Sequence, residues 1–355
     1  MMVSGGLEHA GGIGRWAGYM LLAWNEQRLD PPLEILDTRG LGNAAVAAVT
    51  FLKALGRLIV LRRQGRLGIV HANLSIRGST VRKCIVAVLA RLLRVPLVLH
   101  LHGGGYSSFY ETLPGWAKRQ VRGLFAQAVH VIVLGECWAD WAVETLAVPR
   151  SKITVLYNGV RRPDATIRNR DADKPCHIVM LGRIGVRKGV PELLAALSSE
   201  EMQCREWRAT LAGDGEVAAY ARDAAARGLA RRVAFPGWLN STQAAELIAD
   251  AGILVLPSRA ENFPMSVIEA LANRVVVVTT PIGSTPELLA DGESVRFVPV
   301  GNSVALASTL CSLLDDPASR SRIAAAGHNV FTKKLDINVL AVKLASLHAR
   351  HIISP

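Results

Sequence analysis

The chain has 355 residues, half of them hydrophobic and a fifth charged, with 41 Lys and Arg against 29 Asp and Glu and a formal net charge of +12. That length accommodates two domains of ordinary size, and the composition excludes a disordered or collagen-like chain. Five scattered cysteines, Cys84, Cys137, Cys176, Cys204 and Cys311, form no C-x-x-C pair or Cys/His cluster, which reads as reduced structural thiols rather than a disulfide framework or metal centre.

Along the chain, MMVSGGLEHAGG carries neither the basic segment nor the apolar core of a signal peptide, so a cytoplasmic protein is expected. In the first half, strands are expected at Leu33–Leu36, Gly68–His71, Leu97–His100, His130–Leu134 and Ile153–Tyr157, with a minimal strand at Met1–Val3. Helices are expected between them, notably Ala44–Arg63 and Ser79–Leu93. The apolar run AAVAAVTFLKALGRLIVL is broken by Lys53 and Arg57, so a spanning helix is not expected. The polar segment NGVRRPDATIRNRDADKPC, punctuated by Pro163 and Pro175, reads as a linker and divides the chain into residues 1–163 and 164–355.

Beyond the linker, strands are expected near Ile178–Leu181, Arg208–Ala212, Val233–Phe235, Ile253–Leu256, Val275–Thr279 and Val295–Val298. Helices are expected near Pro191–Leu197, Glu216–Arg227, Thr242–Ala249, Met265–Ala272 and Ser303–Leu314. Strands alternating with helices argue for parallel α/β layers, and the simplest architecture is two Rossmann-like domains facing each other across a cleft.

The charge is uneven. Residues 1–163 hold 20 basic and 9 acidic residues, residues 164–355 hold 21 and 20, and between Gly40 and Phe125 Glu111 is the sole acid among 13 basic residues. Arg57, Arg62, Arg63 and Arg66 are interleaved with Leu55, Leu58, Ile59 and Leu61, as on a helix with one basic and one apolar face. Such a face suits an anionic membrane surface, and equally a core-facing helix with a solvated basic side. Nucleic acid is not expected, because aromatics are scarce and no recognition motif accompanies the charge.

Four constellations carry chemistry. In LVLPSRAENFPMSVIEALAN, a buried strand would end at Leu256, place Glu261 in the following loop, and let Pro264 open a helix that carries Glu269. Ligands of open α/β sheets sit beyond the strands' carboxyl ends, where the N–H groups of Met265 and Ser266 form an anion site. A surface loop and an amphipathic helix with two solvated glutamates would give the same spacing. LGRIGVRKGV places Arg183 and Lys188 after a strand, a pair suited to a diphosphate or to a basic surface loop. HAGGIGRWAG places Gly11, Gly12 and Gly14 where backbone can approach phosphate; with Ala17 and Asp37 it also fits a dinucleotide-binding pattern, or a glycine-rich surface turn. LVLHLHGGGYSSFY puts His100 and His102 on one face at a strand end, His102 nearer the tip and the better candidate for a sugar or phosphate contact. Asp171-Ala172-Asp173 has a metal-binding pattern but lies in the linker, where no metal site is expected.

Taken in order, the glycine-rich first loop, HLHGG, VLYNGV, LGRIGVRKG, LAGDG, FPGW and PSRAENFPMSVIEALA span nearly the whole chain. This run resembles the retaining glycosyltransferases of family four, which have the GT-B fold. The resemblance implies a nucleotide-sugar donor bound mainly by the second domain and a lipid-linked or polysaccharide acceptor bound mainly by the first. The leading expectation is a metal-independent reaction without a cofactor, in cell-surface polysaccharide synthesis, and the basic first half motivates placing it at the inner face of a membrane. Arg183 and Lys188 would hold the diphosphate, Glu269 the ribose and Glu261 the donor sugar, with backbone contacts from Phe263, Pro264, Met265 and Ser266. Gly12 would approach the diphosphate and His102 the transferred sugar. The chain departs from the family pattern at Asn262, Arg274, Val276 and Val295. An epimerase or hydrolase of nucleotide sugars, a nicotinamide-dependent oxidoreductase and a non-catalytic binding module are the competing expectations.

Overall fold

The computed structural model describes residues 1–4, 12–163 and 175–353. The chain forms two compact units, one of Met1–Gly159 with Ile337–Pro355 and one of Val160–Asp336. The first unit contains strands β1 (Met2–Ser4), β2 (Ile35–Asp37), β3 (Val70–Leu74), β4 (Leu97–Leu101), β5 (His130–Val133) and β6 (Ile153–Val155). Its helices are α1 (Gly12–Glu26), α2 (Ala44–Arg63), α3 (Gly78–Leu92), α4 (Tyr106–Glu111), α5 (Gly115–Gln127) and α6 (Glu136–Leu146).

The second unit contains β7 (Cys176–Leu181), β8 (Trp207–Ala212), β9 (Val233–Gly237), β10 (Ile253–Leu256), β11 (Val276–Thr279) and β12 (Arg296–Phe297). Helices α7 (Val190–Leu197), α8 (Glu200–Gln203), α9 (Val217–Ala226), α10 (Ser241–Asp250), α11 (Met265–Ala272), α12 (Thr285–Leu288), α13 (Ser303–Asp315) and α14 (Pro317–Val330) connect or follow them. The last helix, α15 (Ile337–His351), returns to the first unit.

Both sheets have six parallel strands, in the order β2-β1-β3-β4-β5-β6 and β12-β11-β10-β7-β8-β9. Counted from its own first strand, the second order is the 3-2-1-4-5-6 of a dinucleotide-binding Rossmann sheet, whose switch point lies between β7 and β10. In the first sheet the switch point lies between β1 and β3. Two parallel α/β sheets of this kind are the GT-B architecture.

Alternation along β3 and β4 sorts the first unit's two layers. Val70, Ala72, Leu74, Leu97, Leu99 and Leu101 join one apolar core with Leu58 of α2, Val86 of α3 and Leu124 of α5. His71, Asn73 and His100 point the other way, where Trp16 of α1 packs within 6.4 Å of His71 and 4.8 Å of His100. Local chemistry sets the helix starts: Asn43 accepts from the Ala45 and Val46 N–H groups ahead of α2, and Asn240 with Gln243 forms a capping box on α10.

One boundary differs from the expected 164–355. Residues Ile337–Pro355 belong with the first unit, because α15 packs on α1 and its His348 Nε2 lies 2.9 Å from His71 Nδ1. A buried interaction 277 residues apart in sequence leaves no local signal at either end.

Candidate active site

The second unit's switch point gathers the expected acidic and basic groups. After β7, Ile184 donates its N–H to Asp214 O at 2.6 Å and its carbonyl accepts from Glu216 N–H at 3.0 Å, which ties this loop to the one after β8. A 3-10 turn at Val186–Lys188 follows. Gly189 then takes φ +75°, and a Cβ there would stand 2.0 Å from the Pro257 carbonyl oxygen, so only glycine lets this turn press onto the end of β10. The turn carries Lys188 back over Gly182, where a Cβ would lie 3.3 Å from Lys188 Cε.

Lys188 Nζ donates to Glu261 Oε1 at 2.5 Å, and Ser258 Oγ donates to the same oxygen at 3.3 Å. Both members of the pair are only 12% exposed. Desolvating two charges is offset here by a short charge-assisted bond, and removing one partner would leave the other charge uncompensated. Two neighbours hold the Glu261 loop in place. Ser284 N–H donates to Asn262 O at 2.9 Å, and Thr280 Oγ1 donates to Ser258 O at 2.6 Å. Gly283, at φ +57°, would bring a Cβ within 2.2 Å of that same Asn262 oxygen. Sequence reasoning missed Ser258, Thr280 and Gly283; a glycine two residues after Pro281 is a turn signal that was open to it.

Arg183 is exposed, its stem lying against Gly215, where a Cβ would be 3.1 Å from Arg183 Cγ. The expected helix at Met265–Ala272 is found with those bounds and is buried at every residue. Pro264 is a correction: it stands at the N-cap with extended backbone (φ −71°, ψ 133°) rather than in the first turn. It supplies no side-chain cap, so the leading N–H groups of Met265 and Ser266 are not satisfied by a capping side chain. Phe263 is buried just before the helix, and Glu269 is its fifth residue and its one charged side chain.

The first unit holds a second polar cluster at its own switch point. Asn73 Nδ2 donates to Ser4 Oγ at 3.3 Å, and Asn73 Oδ1 accepts from His102 Nε2 at 3.1 Å and from His71 Nε2 at 3.2 Å. The ring centroids of His100 and His102 lie 3.9 Å apart with the planes tilted by 33°, so the expectation that both share one face is met. Burial lowers His71 and His102 to about 3 and His348 to about 2, and it holds His100 well below the usual range. His102 therefore offers a neutral imidazole at physiological pH.

The glycine-rich segment is a further correction. Gly12 is the first residue of α1 and Gly14 is buried within its first turn, so both belong to a helix start rather than a loop; Gly11 lies outside the described residues. The Asp37 carboxylate accepts from the Arg39 N–H at 2.7 Å and the Gly40 N–H at 3.0 Å, closing its own turn. Asp171 and Asp173 lie outside the described residues. Among the described residues, no group of three or more His, Cys, Asp or Glu is set to hold a metal ion.

Comparison with known proteins identifies the family and agrees with the fold. Residues 163–330 match the family described as glycosyl transferases group 1, and residues 20–159 match the glycosyl transferase 4-like domain. The chain is 28% identical over 319 residues to a glycogen synthase of Mycobacterium tuberculosis, covering 88% of this chain and 74% of that one. It is 26% identical over 322 residues to the alpha-D-kanosaminyltransferase of Streptomyces kanamyceticus, covering 83% and 82%. The crystal structure of Anabaena HepE in complex with UDP superposes with a TM-score of 0.74 at 18% identity, covering 98% of this chain and 99% of that one. The chain belongs to the group 1 glycosyl transferases of family four, on the GT-B fold, and is a glycosyltransferase.

Proposed function

We propose that the protein transfers a sugar from a nucleoside-diphosphate donor to a lipid-linked or polysaccharide acceptor, with retention of anomeric configuration, at the cytoplasmic side of a membrane. The observation that carries this reading is the Lys188–Glu261 pair at the second unit's switch point, with Arg183 and the start of α11 beside the same strand ends. Glycogen synthase, a polymer-building relative, and HepE, crystallised with UDP, support the donor and acceptor classes.

In this reading, Arg183 and Lys188 take the donor's diphosphate, the N–H groups of Met265 and Ser266 add a positive helix end, and Glu269 accepts from the ribose hydroxyls. Glu261 accepts from hydroxyls of the donor sugar, with Phe263 and Pro264 shaping the approach. When the bond between the anomeric carbon and the phosphate oxygen breaks, the negative charge that develops on the diphosphate is met by Arg183 and Lys188. The acceptor hydroxyl attacks from the same face and gives its proton to the departing phosphate, so the protein supplies no base. Within the first unit, neutral His102 and the α1 start at Gly12 and Gly14 offer that unit's own contacts to a sugar and a phosphate. No metal or organic cofactor takes part beyond the donor.

Incubation with a radiolabelled donor and a lipid-linked acceptor fraction tests the reading. Label in an extractable lipid or polymer is the expected result. Free or epimerised sugar as the whole product would assign the site to a hydrolase or epimerase instead.

A further inference from the structure

We infer that the outer face of α2 and α3, with Trp116 at the start of α5, is an insertion surface for an anionic lipid bilayer. This deepens the membrane clause of the proposed function and rests on that clause, not on the donor chemistry.

The inner side of α3 is an ordinary core face, with Val86, Ala87 and Ala90 buried. Its outer side is equally apolar: Val81, Ile85, Val88 and Leu92 recur at helical spacing and are 61%, 43%, 57% and 75% exposed. The neighbouring α2 repeats the pattern, burying Phe51, Ala54, Leu58 and Leu61 while leaving Val49 52% and Leu52 67% exposed. Trp116 stands 66% exposed on α5, which packs beside α3. Single exposed apolar side chains are common on soluble proteins, but apolar stripes along two adjacent helices mark a surface that meets something. By length and composition α2 could cross a membrane, with mean hydropathy 1.9, yet its inner side is committed to the unit's core. An orientation along the bilayer surface satisfies both of its sides.

Charge identifies the occupant. Exposed Lys53 and Arg63 flank the α2 stripe, and exposed Arg91 and Arg94 close the α3 stripe. Between Gly40 and Phe125 the sole acid is Glu111. Lys and Arg beside an apolar stripe can keep their stems on acyl chains while their heads reach phosphate headgroups. A second copy of the chain fits poorly, because a twofold interface would set these cations against themselves. The sequence left the basic face of Arg57, Arg62, Arg63 and Arg66 open between a membrane and solvent; the proposed membrane contact centres on α3. Arg57 and Arg66 face Glu34 at 3.6 and 3.0 Å instead.

The test is flotation of the full chain with phosphatidylglycerol/phosphatidylcholine vesicles and with phosphatidylcholine alone, using Ile85→Glu/Val88→Glu and Lys53→Glu/Arg63→Glu/Arg91→Glu variants. Circular dichroism and melting midpoint confirm the fold of each, independently of any nucleotide. The wild type is expected to bind the anionic vesicles, and each variant to bind at least about tenfold more weakly. Wild-type binding by the Ile85→Glu/Val88→Glu variant would overturn the insertion surface while leaving electrostatic attachment intact. A wild type that ignores anionic vesicles at low salt would overturn the membrane clause itself, without touching sugar transfer. A concentration-dependent dimer that the same variant dissolves would give the face to a second copy and likewise overturn the inference.

Discussion

The buried imidazoles of the first unit make its stability acid-sensitive by a calculable amount. His71 and His102 are lowered to about 3 and His348 to about 2, chiefly because burial penalises the charged ring, and for His71 and His348 a neighbouring histidine adds to it. An unfolded histidine titrates near 6.5, so above that pH neither state is protonated and no penalty exists. As pH falls below 6.5 the unfolded chain takes up protons that the folded unit refuses, and stability is lost until the folded values are reached. At pH 5 each ring is 1.5 units below its unfolded value, a cost of about 2 kcal/mol. These three rings alone cost about 6 kcal/mol, comparable with the whole stability of an ordinary domain, and His100, held below the usual range beside them, adds to it. Hydrogen exchange of β3 and β4 amides at pH 7.5 and 5.0 reads the first unit's opening directly. Between pH 6 and 5 the opening free energy should fall by at least about 4 kcal/mol per pH unit. His348→Gln, which keeps a donor beside His71 Nδ1, should reduce that slope by one ring's share, about 1.4 kcal/mol per pH unit. An opening free energy unchanged from pH 7.5 to 5.0 would refute the neutral, buried assignment.

Other outcomes follow from the second unit. Gly189 and Gly228 share a φ near +75°, but a Cβ meets the Pro257 oxygen at 2.0 Å in one and nothing within 4 Å in the other. Urea unfolding should show Gly228→Ala losing about 1 kcal/mol and Gly189→Ala at least about 2 kcal/mol more, since the Lys188 turn must move; equal losses would contradict the close packing. In steady-state assays Lys188→Ala and Arg183→Ala should each lower turnover at least about tenfold, on the order of 1.4 kcal/mol, and unchanged rates in both would remove them from the diphosphate. If Glu269 holds the ribose, Glu269→Ala should erase any preference for UDP over dUDP in competition binding, and a retained preference would reassign it.

Strand and helix positions were legible wherever burial imposed a local pattern. Ile253–Leu256 and Met265–Ala272 are found with the bounds expected of them, because a four-residue apolar run and a wholly buried helix are each delimited by proline or polar residues. The pairing of Lys188 with Glu261 was not legible, although both were singled out, since it depends on parallel register between β7 and β10 and on a glycine at 189. The glycines at 12 and 14 left a loop and a helix start both open for a local reason: the two use the same residues. The histidine cluster was half visible. Alternation placed His100 and His102 on one face, but His71 and His348 join them through a neighbouring strand and a distant helix. The α3 stripe was passed over because an apolar residue every three or four positions reads as core, and only the fold reveals two such faces on one helix.

The most direct measurement of the central claim is isothermal titration of UDP and GDP into the wild type and into Lys188→Ala. The account predicts saturable binding of at least one nucleoside diphosphate, weakened by about tenfold or more when Lys188 is removed. Binding of neither nucleotide, or equal affinity in the wild type and the variant, would contradict it.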